Sequence, residues 1–386
     1  MKNVLLLDTS FASAPIYTSL VEMNYNVFVI GDKPSDYLAK FSTNYHRVNY
    51  ANISLVKKFI EENNIEFIVP GCNDFSYKIC SEICDEKKFY GIEHSQVNDL
   101  INNKNLFREF AIKIKLPVPS VFNLKNIPSN FSIIVKPVDS YSGNGITVLK
   151  DYNYSELKQA IKKAEEASKS KKHLIEEFVE GQLFSHSAFI SNHKVYIDFF
   201  VEEHCITNEF AVDTSWVTDK IKNKIGDEIK KTINRFAKEL NLKDGLIHTQ
   251  FILSGNKFWI IEITRRCPGD LYSNLISTST GYNYSKEYVK PFINFNVIDN
   301  KKPNDSNKII RHTITSPKQI NFGLIKFNEP ILINNYISIS TSGSELQEAP
   351  KGRVALIFLK SNNASNFNKI KSLLLSRELY SLSPKI

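Results

Sequence analysis

One stretch constrains this chain more than any other: Gly245-Leu-Ile-His-Thr-Gln-Phe-Ile-Leu-Ser-Gly-Asn-Lys-Phe-Trp-Ile-Ile-Glu-Ile-Thr-Arg-Arg-Cys-Pro-Gly-Asp270. It reads as two strands, Ile247 to Leu253 and Phe258 to Ile263, joined by a turn at residues 254–257. Gly255 and Asn256 accept the positive φ that such a turn demands. The second strand is almost wholly apolar and is expected to be buried. Yet Gln250 sits inside the first strand, Glu262 closes the second, and Thr264, Arg265 and Arg266 follow at once. A carboxylate and two guanidiniums at the end of a buried strand are costly without partners. Two arrangements supply them. One is Mg²⁺ carrying a polyphosphate, with oxygen ligands for the hard cation and arginine for the phosphate. The other is a plain hairpin ending in an internal Glu–Arg salt bridge.

The 386 residues are enough for two to three domains. In the first, strands at 3–8, 26–30 and 66–70 alternate with helices at 16–23, 54–63 and 74–86. Asn52 or Ser54 caps the second helix. This alternation predicts a parallel, doubly wound α/β sheet. The first loop lacks G-x-G-x-x-G, so it offers no close approach to a dinucleotide pyrophosphate. Gly71, Asn73 and Asp74 follow a strand's C-terminus, where open α/β sheets bind ligands, and are candidates for a substrate wall.

The N-terminus, Met1-Lys2-Asn3, leads straight into an apolar strand, too short for a signal peptide and without a small-residue cleavage site. No apolar run approaches the roughly 18 residues of a membrane span. Five cysteines at irregular spacing fit reduced thiols. Cys80 and Cys84 lack a second Cys/His pair for zinc. These features together predict a cytoplasmic protein. The net charge of +8 is spread over many faces, without a basic stripe or interleaved aromatics. That suits small anionic ligands rather than nucleic acid.

Further along, a helix is expected at 97–115, ended by Leu116-Pro-Val-Pro119, with Lys104 and Arg108 one turn apart. A strand at 132–137 carries Lys136 near its end. The small-residue loop 138–145 follows, then a strand at 146–149. Such a loop can donate backbone N–H groups to phosphates. It is not a Walker A loop, because the lysine precedes the glycines and no helix follows directly. After a helix at 154–168, the stretch His173-Leu-Ile-Glu-Glu-Phe-Val-Glu-Gly181 resembles a hinge whose backbone could bond an adenine edge. Strands are expected at 183–190 and 194–203, a loop at 207–218 and a helix at 227–240. A helix or loop region follows at 280–295 and a linker at 300–307. The tail is strand-rich at 309–315, 331–340 and 354–359, with a helix at 364–376.

The ordered set of motifs resembles the ATP-grasp superfamily, in its carboxylate–amine ligase branch. The matching pieces are Lys104 before Leu116-Pro-Val-Pro119, Lys136 in Val135-Lys-Pro137, the 138–145 loop, Glu176-Glu-Phe-Val179, His248-Thr-Gln250 and Glu262-Ile-Thr-Arg-Arg266. The resemblance covers about residues 1–300. It implies an α/β (α+β) ATP-grasp fold: a Rossmann-like pre-ATP-grasp domain at 1–96, a two-lobed core at 97–299 (lobes 97–172 and 173–299) and a small β-rich module at 300–386. It also implies ATP with Mg²⁺ or Mn²⁺. Lys104 and Lys136 would contact the phosphates, and Ser140, Ser142, Gly143 and Gly145 would close over them. Glu176 and the backbone of Glu177, Phe178 and Val179 would hold adenine. Gln250, Glu262 and Thr264 match metal-ligand positions. Arg266, with Lys136 and Arg265, would act on the transferred phosphate or the substrate carboxylate, for which Arg311 is a further candidate. Cys267 is read as a packing thiol.

Three positions depart from the family pattern. Gln250 stands where Glu is usual, Thr264 where Asn is usual, and Leu183 where an acid would bind ribose (a neighbour such as Glu180 would have to substitute). The implied reaction activates a small-molecule carboxylate as an acyl phosphate and joins it to an amine. The alternatives are a nucleotide-binding regulatory or scaffold protein that has lost catalysis, and an ATP-grasp carboxylase using bicarbonate. The implied partners are small molecules, with neither nucleic acid nor membrane, and the resemblance favours a homodimer.

Overall fold

The computed structural model describes residues 1–128, 131–140, 143–221, 224–295, 303 and 307–383, and the architecture below is that of these residues. The chain opens with a parallel sheet in the spatial order Tyr45–Arg47, Asn26–Gly31, Asn3–Leu7, Phe67–Pro70. Val4, Leu5, Leu6 and Leu7 are all fully buried. Such continuous burial is what helices on both faces of a sheet impose. Asn52 caps the helix Ile53–Glu62 by accepting from Leu55 N–H, and Asn73 caps Asp74–Cys84 by accepting from Ser76 N–H. The strand order reverses at Asn3–Leu7, so the ends of that strand and of Phe67–Pro70 lie side by side. There Cys72 N–H donates to Asp8. Gly71 sits so close that a Cβ would lie 2.1 Å from Asp8 Cβ, so no side chain fits.

The single helix expected at 97–115 is two, Ser95–Asn102 and Lys104–Lys113. Asn103 leaves helical geometry (ψ 115°), and its side chain accepts from Asn105 and Leu106 N–H. Asn competes with helix continuation in this way. The break makes Lys104 the first residue of a new helix.

A small antiparallel sheet follows, in the order Val121–Phe122, His173–Glu177, Ile133–Pro137, Thr147–Leu149. Leu157, Ala160 and Ala164 of the helix Tyr154–Ala167 cover Ile133, Val135 and Ile175. The larger sheet has eight strands: Lys257–Thr264, Gly245–Ser254, Gln182–Ser191, Lys194–His204, Thr214–Val217, Lys308–Thr315, Arg353–Ser361 and Leu332–Ser338. The segment 207–218, expected as a loop, therefore contains a strand. Thr214–Val217 joins the two halves of the sheet through Thr214↔His312 and Ser215↔Arg311. The strand-rich tail continues this sheet across residue 299. The divisions at 96/97 and 299/300 remain proposals about folding units. The first falls inside the helix Ser95–Asn102.

One face of the large sheet packs on the helices Lys224–Glu239 and Lys104–Lys113 through Phe236, Ile233, Phe107 and Ala111. The other meets the N-terminal domain and the helices Tyr272–Thr280 and Tyr284–Val289, with Phe189, Phe199, Val201 and Leu246 in one core with Leu5 and Ile68. The region expected as helix or loop at 280–295 follows the helix Tyr272–Thr280 and holds the helix Tyr284–Val289 and a 3-10 turn at Lys290–Ile293. Of the linker expected at 300–307, only 303 and 307 are among the described residues. No helix among them is long and apolar enough to cross a membrane.

Candidate active site

The hairpin that dominates the sequence forms as expected. Gly245–Ser254 pairs antiparallel with Lys257–Thr264, and the register sets Gln250 opposite Glu262 and His248 opposite Thr264. A bulge follows Gln250. It frees the Ile261 carbonyl, which accepts from Arg108 Nη2 at 2.9 Å. Three charged groups converge around this hairpin end.

The first lies where the two sheets meet. Lys136 Nζ is 2.6 Å from Glu176 Oε2, and Arg108 Nε donates to Glu176 Oε1. All three side chains are buried. Burial alone would raise the Glu176 carboxyl, but Lys136 and Arg108 outweigh it and hold it below its usual range. Burial, with Arg108 nearby, lowers the Lys136 ammonium despite Glu176. A lysine balanced in this way can gain from an additional anion. Glu176 itself is fully engaged by these cations. Glu177 N–H bonds Ser120 O and Phe178 N–H bonds Ser132 O, each at 2.9 Å. These contacts occupy two of the backbone donors assigned above to adenine. Val179 N–H has no partner among the described residues.

The second group ties the glycine loop down. Lys104 Nζ donates to Ser140 O at 3.1 Å. Gly143 has φ 73°, and a Cβ there would lie 2.5 Å from Phe210 Cβ, so the loop reaches the segment before Thr214–Val217. Gly145, at φ 78°, packs as closely on Ala167. Ser142 lies outside the described residues.

The third group is the hairpin end itself. Arg266 does not pair with Glu262, so the internal Glu–Arg salt bridge considered for this hairpin is not formed. Arg266 instead grips Asp74 with both sides of its fork, Nε at 2.7 Å and Nη2 at 3.0 Å. Asp74 is the first residue of a helix in the N-terminal domain. Burial pushes the Asp74 carboxyl up, but Arg266 overrides it and keeps it low. Thr264 Oγ1 donates to Asp74 and accepts from Arg266 N–H, both at 3.4 Å. Thr264 thus joins the Arg266–Asp74 pair through its hydroxyl. His248 accepts or donates through Nδ1 to Ser187 Oγ at 2.8 Å. Burial, reinforced by Arg266, lowers it to about 3, so it is neutral.

Gln250 Nε2 donates to Glu203 Oε2 at 2.7 Å. Burial, with Glu262 nearby, raises the Glu203 carboxyl. The sequence reading missed Glu203. Its strand alternates Phe199, Val201, Glu203 on one face, and the first two are core residues. An acid at the next inward position was the available signal.

Arg265 is not part of this assembly, contrary to the sequence expectation. It is buried, bonded to Lys243 O at 2.6 Å and ion-paired with Glu93 at 3.2 Å, where it joins the N-terminal domain to the large sheet. Arg311 donates through Nε to Ser215 Oγ at 2.8 Å and lies 3.8 Å from Asp270. Asp270 also meets Arg353 at 2.8 Å. Asp270 and Leu271 both take left-handed φ (52° and 54°), a costly pair that holds the turn after Arg266 in place.

The donor set fits a magnesium–polyphosphate. Mg²⁺ in such sites takes one or two protein oxygens, with phosphate and water completing the shell. Glu262 and the Gln250 amide face each other across the hairpin, and Glu262 has no ion-pair partner among the described residues. No three His, Cys, Asp or Glu side chains among those residues form an all-protein cage.

A family model described as an ATP-grasp domain matches residues 129–274. That span contains Lys136, Glu176, Gln250, Glu262 and Arg266. The chain is 22% identical over 277 residues to a formate-dependent phosphoribosylglycinamide formyltransferase of Prochlorococcus marinus (strain MIT 9301), covering 69% of this chain and 70% of that protein. Among solved structures, it superposes on a phosphoribosylglycinamide synthetase from Anaerococcus prevotii with TM-score 0.77 at 17% identity, over 100% of both chains. An L-amino acid ligase from Bacillus licheniformis gives TM-score 0.79 at 14% identity, covering 100% of this chain and 99% of that one. An N5-carboxyaminoimidazole synthetase from Staphylococcus aureus, complexed with ADP, gives 0.72 at 11%, covering 98% and 97%. At these identities the structural likeness is one of fold.

Proposed function

We propose that this chain, whose residues 129–274 form an ATP-grasp domain, is an ATP- and Mg²⁺-dependent carboxylate–amine ligase. It converts a small-molecule carboxylate to an acyl phosphate, joins it to an amine and releases ADP and phosphate. The observation that carries this reading is the pairing at the hairpin end. Glu262 and Gln250 lie opposite each other on the paired strands with no ion pair at Glu262 among the described residues, while Arg266, just past the same strand, is anchored by Asp74.

In this reading the substrate carboxylate oxygen attacks the γ-phosphorus of ATP and ADP leaves. The amine nitrogen then attacks the acyl carbon, phosphate leaves and the amine gives up a proton. The reaction asks for positioning and charge neutralisation, and for no nucleophilic side chain. Lys136 and Lys104 neutralise phosphate oxygens. The loop 138–145, with Ser140, Gly143 and Gly145, covers them and excludes water, and the Glu176–Val179 segment borders the adenine. Glu262 and Gln250 would hold Mg²⁺, which would supply neutralisation of phosphate charge. Arg266 faces the transferred phosphoryl group, and Asp74 fixes its direction from the neighbouring domain. Arg311, beside Asp270, would meet the substrate's own carboxylate. The substrates are small molecules, the compartment is the cytoplasm, and the assembly is a homodimer.

³¹P NMR of the protein with ATP, Mg²⁺ and pooled carboxylates and amines tests this. ADP and phosphate appearing only when both pools are present is the expected result. AMP with pyrophosphate would mean adenylation and would remove the acyl-phosphate route.

A further inference from the structure

Several buried or part-buried carboxylates in this protein are met by cations, and Asp8 and Asp213, which have no lysine or arginine ion pair, are met instead by several N–H and O–H donors. Glu176 has Arg108 and Lys136, Asp74 has Arg266, Glu93 has Arg265, and Glu287 has Lys290. Glu203 is the buried acid beside Gln250. It is 4% exposed, yet no lysine or arginine among the described residues pairs with it. Gln250 and Ser185 hydrogen-bond it, Arg311 favours its charged form without forming an ion pair, and beyond Gln250 stands Glu262, which also has no ion pair among the described residues. A buried acid beside another acid is pushed toward its neutral form, and a cation bound between the two would favour the charged form of both.

The hydrogen bond also has a directional consequence. A carboxylate accepts and does not donate, so the Gln250 amide must turn its NH₂ toward Glu203. Its oxygen is then the only polar atom left for a ligand. Were the amide reversed, it would present N–H groups to the metal and could not bind it. The charge count agrees. Glu262 and Gln250 together carry one negative charge, where a pair of glutamates would carry two. Glu203 restores the second charge from one hydrogen bond behind.

We propose that Glu203 is a positioning residue of the metal centre: it holds the Gln250 amide with its oxygen toward the cation and supplies the negative charge that the amide lacks. This rests on the ATP- and Mg²⁺-dependent reading above. It makes Gln250 and Glu203 one unit drawn from adjacent parts of the sheet, Gly245–Ser254 and Lys194–His204, with Gln182–Ser191 between them.

The test is Mn²⁺ binding in the presence of ADP, followed by electron paramagnetic resonance. Glu203→Gln keeps the shape and removes the charge and the fixed direction. It is expected to weaken Mn²⁺ binding roughly ten- to a hundredfold, the usual effect of losing a partner of a metal ligand. Metal-free ADP binding is expected to stay unchanged. Gln250→Glu added to Glu203→Gln moves the charge forward and is expected to restore Mn²⁺ affinity, which a merely structural role for Glu203 would not explain. Equal affinity in Glu203→Gln and the unmodified protein would overturn the proposal. So would a double variant as weak as the single one. An unmodified protein that binds ADP but gains no Mn²⁺ site would instead overturn the metal-dependent reading itself.

Discussion

Two carboxylate clusters in this molecule lie close together and differ in one respect. At the junction of the sheets, Glu176 is fully buried and clasped by Arg108 and Lys136. At the hairpin end, Glu262 and Glu203 flank Gln250 with no ion pair of their own among the described residues, Arg266 and Arg311 acting on them only from farther off. The first cluster is internally complete, so its work is to fix Lys136 and to lock the helix Lys104–Lys113 to both sheets. The second is incomplete, and incompleteness in a folded protein marks where a ligand enters the balance.

The same chemical change should therefore act with very different strength at the two places. Glu176→Gln strands two buried cations and is expected to cost about 3–5 kcal/mol, the range for breaking a buried ion pair. Glu262→Gln, without metal or nucleotide, removes one of two adjacent acids and is expected to change stability by less than about 1 kcal/mol. Urea unfolding of the two variants reads both values. Similar losses at 176 and 262 would erase the distinction.

Much of this was legible in the sequence, and the rest failed for identifiable reasons. The hairpin was readable because turn residues and an apolar run are local signals. Alternation likewise revealed the N-terminal parallel sheet, and Lys136, Glu176, Gln250 and Glu262 stood in recognisable order. The strand Thr214–Val217 was missed because its second partner, Lys308–Thr315, arrives far later in the chain. The break at Asn103 was overridden by a helical apolar pattern that continues on both sides of it. The counter-ions were hidden for a deeper reason. Nothing local says that Arg266 takes Asp74 rather than Glu262, or that Arg265 turns to Glu93. Charge pairing across domains is decided by the fold.

A smaller effect bears on the part of the large sheet distant from both clusters. His312 is bonded through Nδ1 to Thr214 Oγ1 at 2.7 Å, and burial lowers it to about 4 although Asp213 opposes this. The folded pKa is below the ordinary 6.5. The stability contributed by keeping this histidine neutral is thus complete above pH 6.5 and lost as pH falls toward 4. Between pH 6.5 and 5 the loss is on the order of 1–2 kcal/mol. His312→Asn should flatten that part of the unfolding profile. An unchanged slope in the variant would show that His312 is not the titrating group. Glu202, lowered to about 2 by His204 and Lys220 against the opposing effect of burial, contributes stability that is complete above pH 4.5 and is lost only as pH falls toward 2.

The most direct test of the contrast between the clusters is the thermal midpoint of the unmodified protein with ATP, measured with and without Mg²⁺. The account predicts that ATP stabilises strongly only when Mg²⁺ is present, by about 2.7 kcal/mol at a hundredfold excess over the dissociation constant, and that Glu262→Gln loses the Mg²⁺-dependent part. Equal stabilisation by ATP with and without the cation would mean that the hairpin-end acids do not await a metal, and the account would fail.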